Sequence, residues 1–147
     1  MNIDLLCTEA SLDIHFLSPD DLFDIVKDMP LDRRVSYVQN YYNKMAVNHE
    51  LIFRRYLSAT LLESTGSKKK IRGARRVETM DLILDSLTVN MSKKDAKHLK
   101  HISTVLMGIE PVIVAKDVCG LSNQQAQETL SWAVNMILKG IKSPKKR

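Results

Sequence analysis

The chain has 147 residues, of which 44% are apolar and 27% are charged, and this composition is typical of one globular domain with its own core. Cys7 and Cys119 form no CxxC pair and are too few for a cysteine metal site, so we expect reduced, buried thiols in a cytoplasmic protein. Stretches without charge are far shorter than the roughly 18 residues of a membrane span, and the acidic N-terminus is unlike a signal peptide. The sequence therefore predicts no membrane association.

The net charge of +5 comes from two basic clusters, and outside them the chain is acidic. Neither cluster has interleaved aromatic residues or a groove-reading motif, so a solvated loop and a disordered tail over 142–147 are favoured over a phosphate-binding surface. The clusters are Lys68, Lys69, Lys70, Arg72, Arg75 and Arg76, and Lys139, Lys142, Lys145, Lys146 and Arg147.

The first half of the chain has few glycines and prolines, which favours long helices. Apolar residues at spacings of three and four predict a first helix from Met1 to about Leu17. The sequence Ser18-Pro19-Asp20-Asp21 is a helix start, and it predicts a short second helix to about Asp28. Leu31–Thr65 contains neither Gly nor Pro, and its two apolar stripes predict two helices that meet near Asn48.

The second half begins with a basic loop bracketed by glycines, at 66–73. A helix is predicted over Val77–Leu87 and the longest helix over Ser92–Val118, with Gly120 as its C-terminal stop. A capping box at Ser122 starts the last helix, which runs to Ile141 and should pack antiparallel on the one before it. The fold class is all-α, a bundle of about six or seven helices in one domain, 1–141.

The last two predicted helices have apolar arcs that are wider than one core contact needs. A single small domain cannot easily cover both helices, so we expect a homodimer in which they form a four-helix bundle with their copies. The expected interface residues are Val105, Val112, Ala126, Thr129, Trp132, Ala133, Met136, Ile137 and Gly140.

The same region resembles a known family. The stretch Val105–Ser122, with Gln125-Ala126 and Ser131-Trp132-Ala133 after it, looks like the C-terminal helix pair of TetR-type transcriptional regulators. The stretches FRRYL at 53–57 and RGARR at 72–76 are similar to the middle of that family's ligand domain. Asn2–Leu6 is similar to the segment that follows the family's helix-turn-helix.

The resemblance covers most of the chain and implies the ligand-sensing and dimerisation domain of a transcriptional repressor. The family's DNA-binding headpiece would precede Ile3 and is absent from this sequence. DNA binding is therefore expected only through that headpiece, whose spacing across the dimer would respond to a small molecule. The alternative is a free-standing helical interaction or adaptor protein without such a ligand.

An effector cavity is expected between the predicted helix over Asn48–Thr65, the helix over Val77–Leu87 and the segment Val105–Ile113. Aromatic and methionine side chains there could line an adaptable cavity for a small apolar or amphipathic molecule, although each alone is more often core filler. The expected lining is Met45, His49, Phe53, Tyr56, Met80, Leu84, Leu106, Ile109 and Ile113.

The remaining polar motifs do not predict an enzyme. His98 and His101 lie among lysines and are expected to be surface residues, not metal ligands, and no cofactor or nucleophile motif is present. Glu110 before Pro111 is unusual inside an apolar helix, because the proline removes a bond to the carbonyl of Met107 and the carboxylate needs a partner. An ion-paired acid beside a kink is favoured over a ligand contact.

Overall fold

The computed structural model describes residues 14–66, 68, 74–85 and 90–142. In these ranges the chain forms seven α-helices and one π-helical turn, with no strand, which confirms the all-α class. The helices are α1 (Pro19–Val26), α2 (Leu31–Asn48), α3 (Glu50–Ser64), α4 (Arg75–Asp85), α5 (Lys93–Val105), α6 (Ile109–Ile113) and α7 (Asn123–Lys142), and the π-helix is Val114–Val118.

Helix α1 begins as predicted. The hydroxyl of Ser18 accepts the N–H of Asp21 at 3.0 Å, and the Asp21 carboxylate accepts the N–H of Ser18 at 3.0 Å, which forms a capping box. Pro19 disfavours helical backbone at the residue before it, and Ser18 accordingly has φ −68° and ψ 162°. The chain therefore enters α1 from an extended segment.

The helix predicted over Met1–Leu17 is wrong at its C-terminal end, because residues 14–17 have no regular structure. Residues 1–13 lie outside the described ranges. The Leu17 N–H donates to the hydroxyl of Tyr41 at 2.7 Å, and the Phe16 ring stands edge-on to Phe53 with 5.9 Å between centroids. These contacts hold residues 14–17 against α2 and α3.

Two predicted helix boundaries are confirmed in the middle of the chain. The helices of Leu31–Thr65 meet at His49, whose φ of −126° and ψ of 34° are outside the helical region. The hydroxyl of Ser92 accepts the N–H of Asp95 at 3.0 Å and caps α5. The predicted loop at 66–73 lies almost wholly outside the described residues, as does the predicted end of α4 beyond Asp85.

The long helix predicted over Ser92–Val118 is wrong, because the chain breaks between α5 and α6. Gly108 has φ 93°, and a new helix starts at Ile109. Pro111 then lies in a first helical turn, where its missing N–H costs no intrahelical hydrogen bond. The predicted kink at the proline is replaced by a complete interruption three residues before it. The longest helix in the described ranges is α7, with 20 residues.

Among the described residues, the buried apolar side chains form two clusters. The first lies between α1, α2, α4, α5 and the C-terminal half of α7, and includes Leu22, Val38, Met80, Leu99 and Met107. The second joins α2, α6 and the N-terminal half of α7 through Ala46, Ile109, Val112 and Leu130.

Helix α7 packs most extensively on α2 and also contacts α6 and the π-helix, whereas α5 packs on α4. The sequence predicts that the last helix packs on one long helix over Ser92–Val118. In the structure, α6 and the π-helix are the parts of that region that pack on α7. None of the helices in the described ranges is both long and apolar enough to span a bilayer.

Candidate interaction surface

Helix α7 exposes a stripe of uncharged side chains to solvent. The stripe consists of Thr129, Trp132, Met136 and Gly140, which fall within an arc of about 80° at 3.6 residues per turn. Trp132 is 64% exposed and Met136 is 47% exposed, which is unusual for two large apolar residues on one helix face. The opposite side of α7 is already covered by α2, to which Asn135 and Ser131 connect through Ser36 and Asn40.

The π-helix next to α7 also exposes apolar side chains. Val114 is 53% exposed and Val118 is 77% exposed, while Ala115 between them is buried. The π-helix contacts α7 directly. We use the term apolar surface for Val114, Val118 and the α7 stripe.

The predicted interface residues divide between this surface and the core. Thr129, Trp132, Met136 and Gly140 are exposed, Ala133 and Ile137 are half-buried, and Val105 is 62% exposed at the end of α5. Val112 and Ala126 are 0% exposed within one chain, so the structure places these two predicted interface residues in its core. Val114 and Val118 were not predicted, because the interruption at Gly108 and the π-helical turn change the helical phase.

Ion pairs hold the π-helix against α3. Arg54 donates to both carboxylate oxygens of Asp117 at 2.7 Å and to Glu50 at 2.8 Å, and Lys116 donates to the other oxygen of Glu50. The hydrogen bond from Lys116 lowers the pKa of Glu50, and the hydrogen bond from Arg54 lowers the pKa of Asp117. Lys116 and Asp117 thus fix one side of the π-helix, and Val114 and Val118 remain in solvent.

This ion-pair network predicts an acid-dependent stability. A carboxylate whose folded pKa is lowered stabilises the fold above its unfolded pKa, and that stabilisation is lost as pH falls through the folded value. We expect Glu50→Gln to lower the free energy of unfolding by about 1 kcal/mol at pH 7, and by less at pH 3. Urea unfolding at both pH values measures this difference. Glu63→Gln, a change on the same helix outside the network, is the control and should alter stability little at either pH.

A second ion pair joins α4 to the interruption between α5 and α6. The Arg76 guanidinium donates to both oxygens of Glu110 at 2.9 Å, and also to the carbonyl of Met107. The Met107 carbonyl, which lies in the interruption between α5 and α6, therefore has a partner. The expectation that Glu110 is an ion-paired acid is confirmed.

The residues predicted to line an effector cavity are distributed over both core clusters and over half-buried positions outside them. Met80 and Leu84 belong to the first core cluster, at 0% and 5% exposure, and Ile109 belongs to the second. Leu106 packs against both clusters, and Phe53 and Ile113 pack against the second. Met45, His49 and Tyr56 are half-buried and belong to neither.

An open groove lies elsewhere, at the junction of α1 and α2, and sequence reasoning did not predict it. It is lined by Asp28, Met29, Pro30, Arg33, Ser36, Tyr37 and Asn40. His98 and His101 are exposed, as expected, whereas Cys119 is exposed although a buried thiol was expected. In the described ranges, no three His, Cys, Asp or Glu side chains lie close enough together to hold a metal ion.

No protein-family model, curated protein or solved structure matches this chain.

Proposed function

We propose that this chain is the dimerisation and effector-sensing domain of a cytoplasmic TetR-type transcriptional repressor. The observation that carries the dimerisation part is the exposed, uncharged stripe of Trp132 and Met136 on α7, together with the exposure of Val114 and Val118 on the π-helix that contacts α7. Tryptophan and methionine are enriched at protein interfaces, where a large side chain can be fully desolvated. A second copy of α6, the π-helix and α7 would cover this surface and complete a four-helix bundle.

The sensing part of the proposal is supported by the resemblance and by the loose packing of α3. Only Ala59 and Thr60 are buried among the 15 residues of this helix. A helix with few buried contacts opens more readily than the core does, which is how binding sites commonly admit ligands. A small apolar molecule would enter beside Phe53 and Tyr56, and the ion-pair network on α3 would connect that site to the apolar surface.

Sedimentation velocity tests the dimer. The chain should sediment as a dimer at micromolar concentration, and Met136→Glu should shift it to a monomer because the substitution would bury an unpaired charge at the interface. Asn123→Asp places the same charge in the first turn of α7, about 140° around the helix from Met136, and should leave the dimer intact. Circular dichroism should show equal helicity for all three proteins. A wild-type monomer at this concentration would contradict the proposal.

The alternative function is a helical adaptor that uses the same surface to bind a different protein. The exposure of Leu61 and Leu62 at the end of α3, at 52% and 74%, favours it, because this second apolar patch lies on another helix. The adaptor hypothesis predicts a monomer in the absence of its partner, and the sedimentation experiment therefore distinguishes the two.

A further inference from the structure

Helix α7 has a pattern that is symmetric to within one residue about the level of Val134. Trp132 lies two residues before Val134 and Met136 two residues after it, both on the exposed stripe. Glu128 lies six residues before this centre and Lys139 five residues after it. At 3.6 residues per turn, Glu128 and Lys139 lie on the same flank of the stripe, next to Trp132.

This symmetry distinguishes an antiparallel from a parallel arrangement of two copies. In an antiparallel two-fold pair, equivalent flanks of the two helices face each other with their ends reversed, so Glu128 faces Lys139 of the partner subunit. In a parallel two-fold pair, the flank with Glu128 and Lys139 would instead face the other flank of the partner's stripe, which holds Ala133 and Ile137 and no charged residue of α7. The charges on α7 are therefore complementary to a second copy only when that copy is reversed.

The residues of the stripe fit the same arrangement. A crossing centred on Val134 brings Trp132 against Met136 of the partner subunit, which pairs a large flat ring with a flexible side chain that adapts to it. The small residues Thr129 and Gly140 then lie near the two ends of the contact, where they leave room for the backbones to approach.

Building on the proposed dimer, we infer that α7 crosses its copy antiparallel, with the two-fold axis passing the stripe midway between Trp132 and Met136. Trp132 packs on Met136 of the partner subunit, and Glu128 pairs with Lys139 of the partner subunit. In this register, the large apolar side chains of the stripe pack on those of the partner subunit, and each charge next to the stripe faces an opposite charge.

Disulfide trapping tests the register. In a Cys7→Ser, Cys119→Ser background, Trp132→Cys and Met136→Cys proteins are prepared separately, mixed and oxidised with copper phenanthroline. Cross-linked dimers should form in the mixture and not in either protein alone, because a disulfide needs Cα atoms within about 7 Å. Cross-linking of each variant with itself would overturn the antiparallel register.

A charge exchange supplies a second test that keeps Trp132 and Met136. Glu128→Lys should weaken the dimer at least about tenfold, because two attractive pairs become repulsive. The double variant Glu128→Lys, Lys139→Glu should restore the wild-type dissociation constant. Absence of this rescue in a protein that still dimerises would overturn the register, whereas a wild-type monomer would instead contradict the proposed function.

Discussion

Met80→Ala is expected to lower the free energy of unfolding by about 3 kcal/mol. Met80 is 0% exposed and belongs to the core cluster that also contains Val38, Leu99 and Met107. Truncating a fully buried methionine removes its transfer free energy and leaves a cavity, and such changes cost about 2–5 kcal/mol. Urea unfolding measures the loss, and an unchanged m-value would show that the unfolding transition remains the same.

Met45→Ala is the matched control for Met80→Ala. Met45 is half-buried and lies outside both clusters, so its truncation should cost less than about 1 kcal/mol. The comparison also bears on effector binding, since both residues were predicted to line the cavity. If Met80→Ala costs as little as Met45→Ala, Met80 lines a void and not a packed core.

Much of the fold could be predicted where the signal is local. Ser18 and Ser122 each accept a backbone N–H from the residue three positions later, and the side chain of that residue accepts the N–H of the serine in return. Such capping boxes involve only four consecutive residues, so the sequence contains all the information. The left-handed Gly120, with φ 68°, is a signal of the same kind.

The interruption between α5 and α6 could not be predicted, because its partners are remote in sequence. The N–H of Gly108 donates to the Asn43 side chain at 2.9 Å, and the carbonyl of Met107 accepts from Arg76. The pattern across Val105–Ala115, which is uncharged apart from Glu110, gives no indication of these contacts. Pro111 was the one local signal, and it is also compatible with a kinked continuous helix.

The apolar surface was also predicted only in part, because its extent depends on contacts that are remote in sequence. The stripe on α7 follows from the period of one unbroken helix, and its exposure agrees with that pattern. The same apolar arc extends to Ala126, however, and periodicity does not reveal which part of an arc the remainder of the chain covers. The residues predicted to line the cavity are spread over the core for this reason too, because they include Met80 from one core cluster and Ile109 from the other.

Gly108→Ala should destabilise the fold by about 3 kcal/mol or more, because two costs add at one position. Gly108 has φ 93° and ψ −161°, a region that is essentially restricted to glycine and costs other residues about 1–3 kcal/mol. A Cβ at this position would also lie 2.7 Å from Nη1 of Arg76. Arg76 would have to move, and its hydrogen bonds to Glu110 and the Met107 carbonyl would weaken.

Gly120→Ala separates these two costs. Gly120 has φ 68°, but nothing lies within 4 Å of a Cβ placed there, so this substitution should cost only about 1 kcal/mol of left-handed strain.

Combining Gly108→Ala with Arg76→Ala should then cost less than the sum of the two single changes, because the truncated side chain no longer meets the new Cβ. Urea unfolding of the four proteins of this cycle measures the coupling. Strict additivity would show that Arg76 does not restrict residue 108, and that backbone conformation alone requires the glycine.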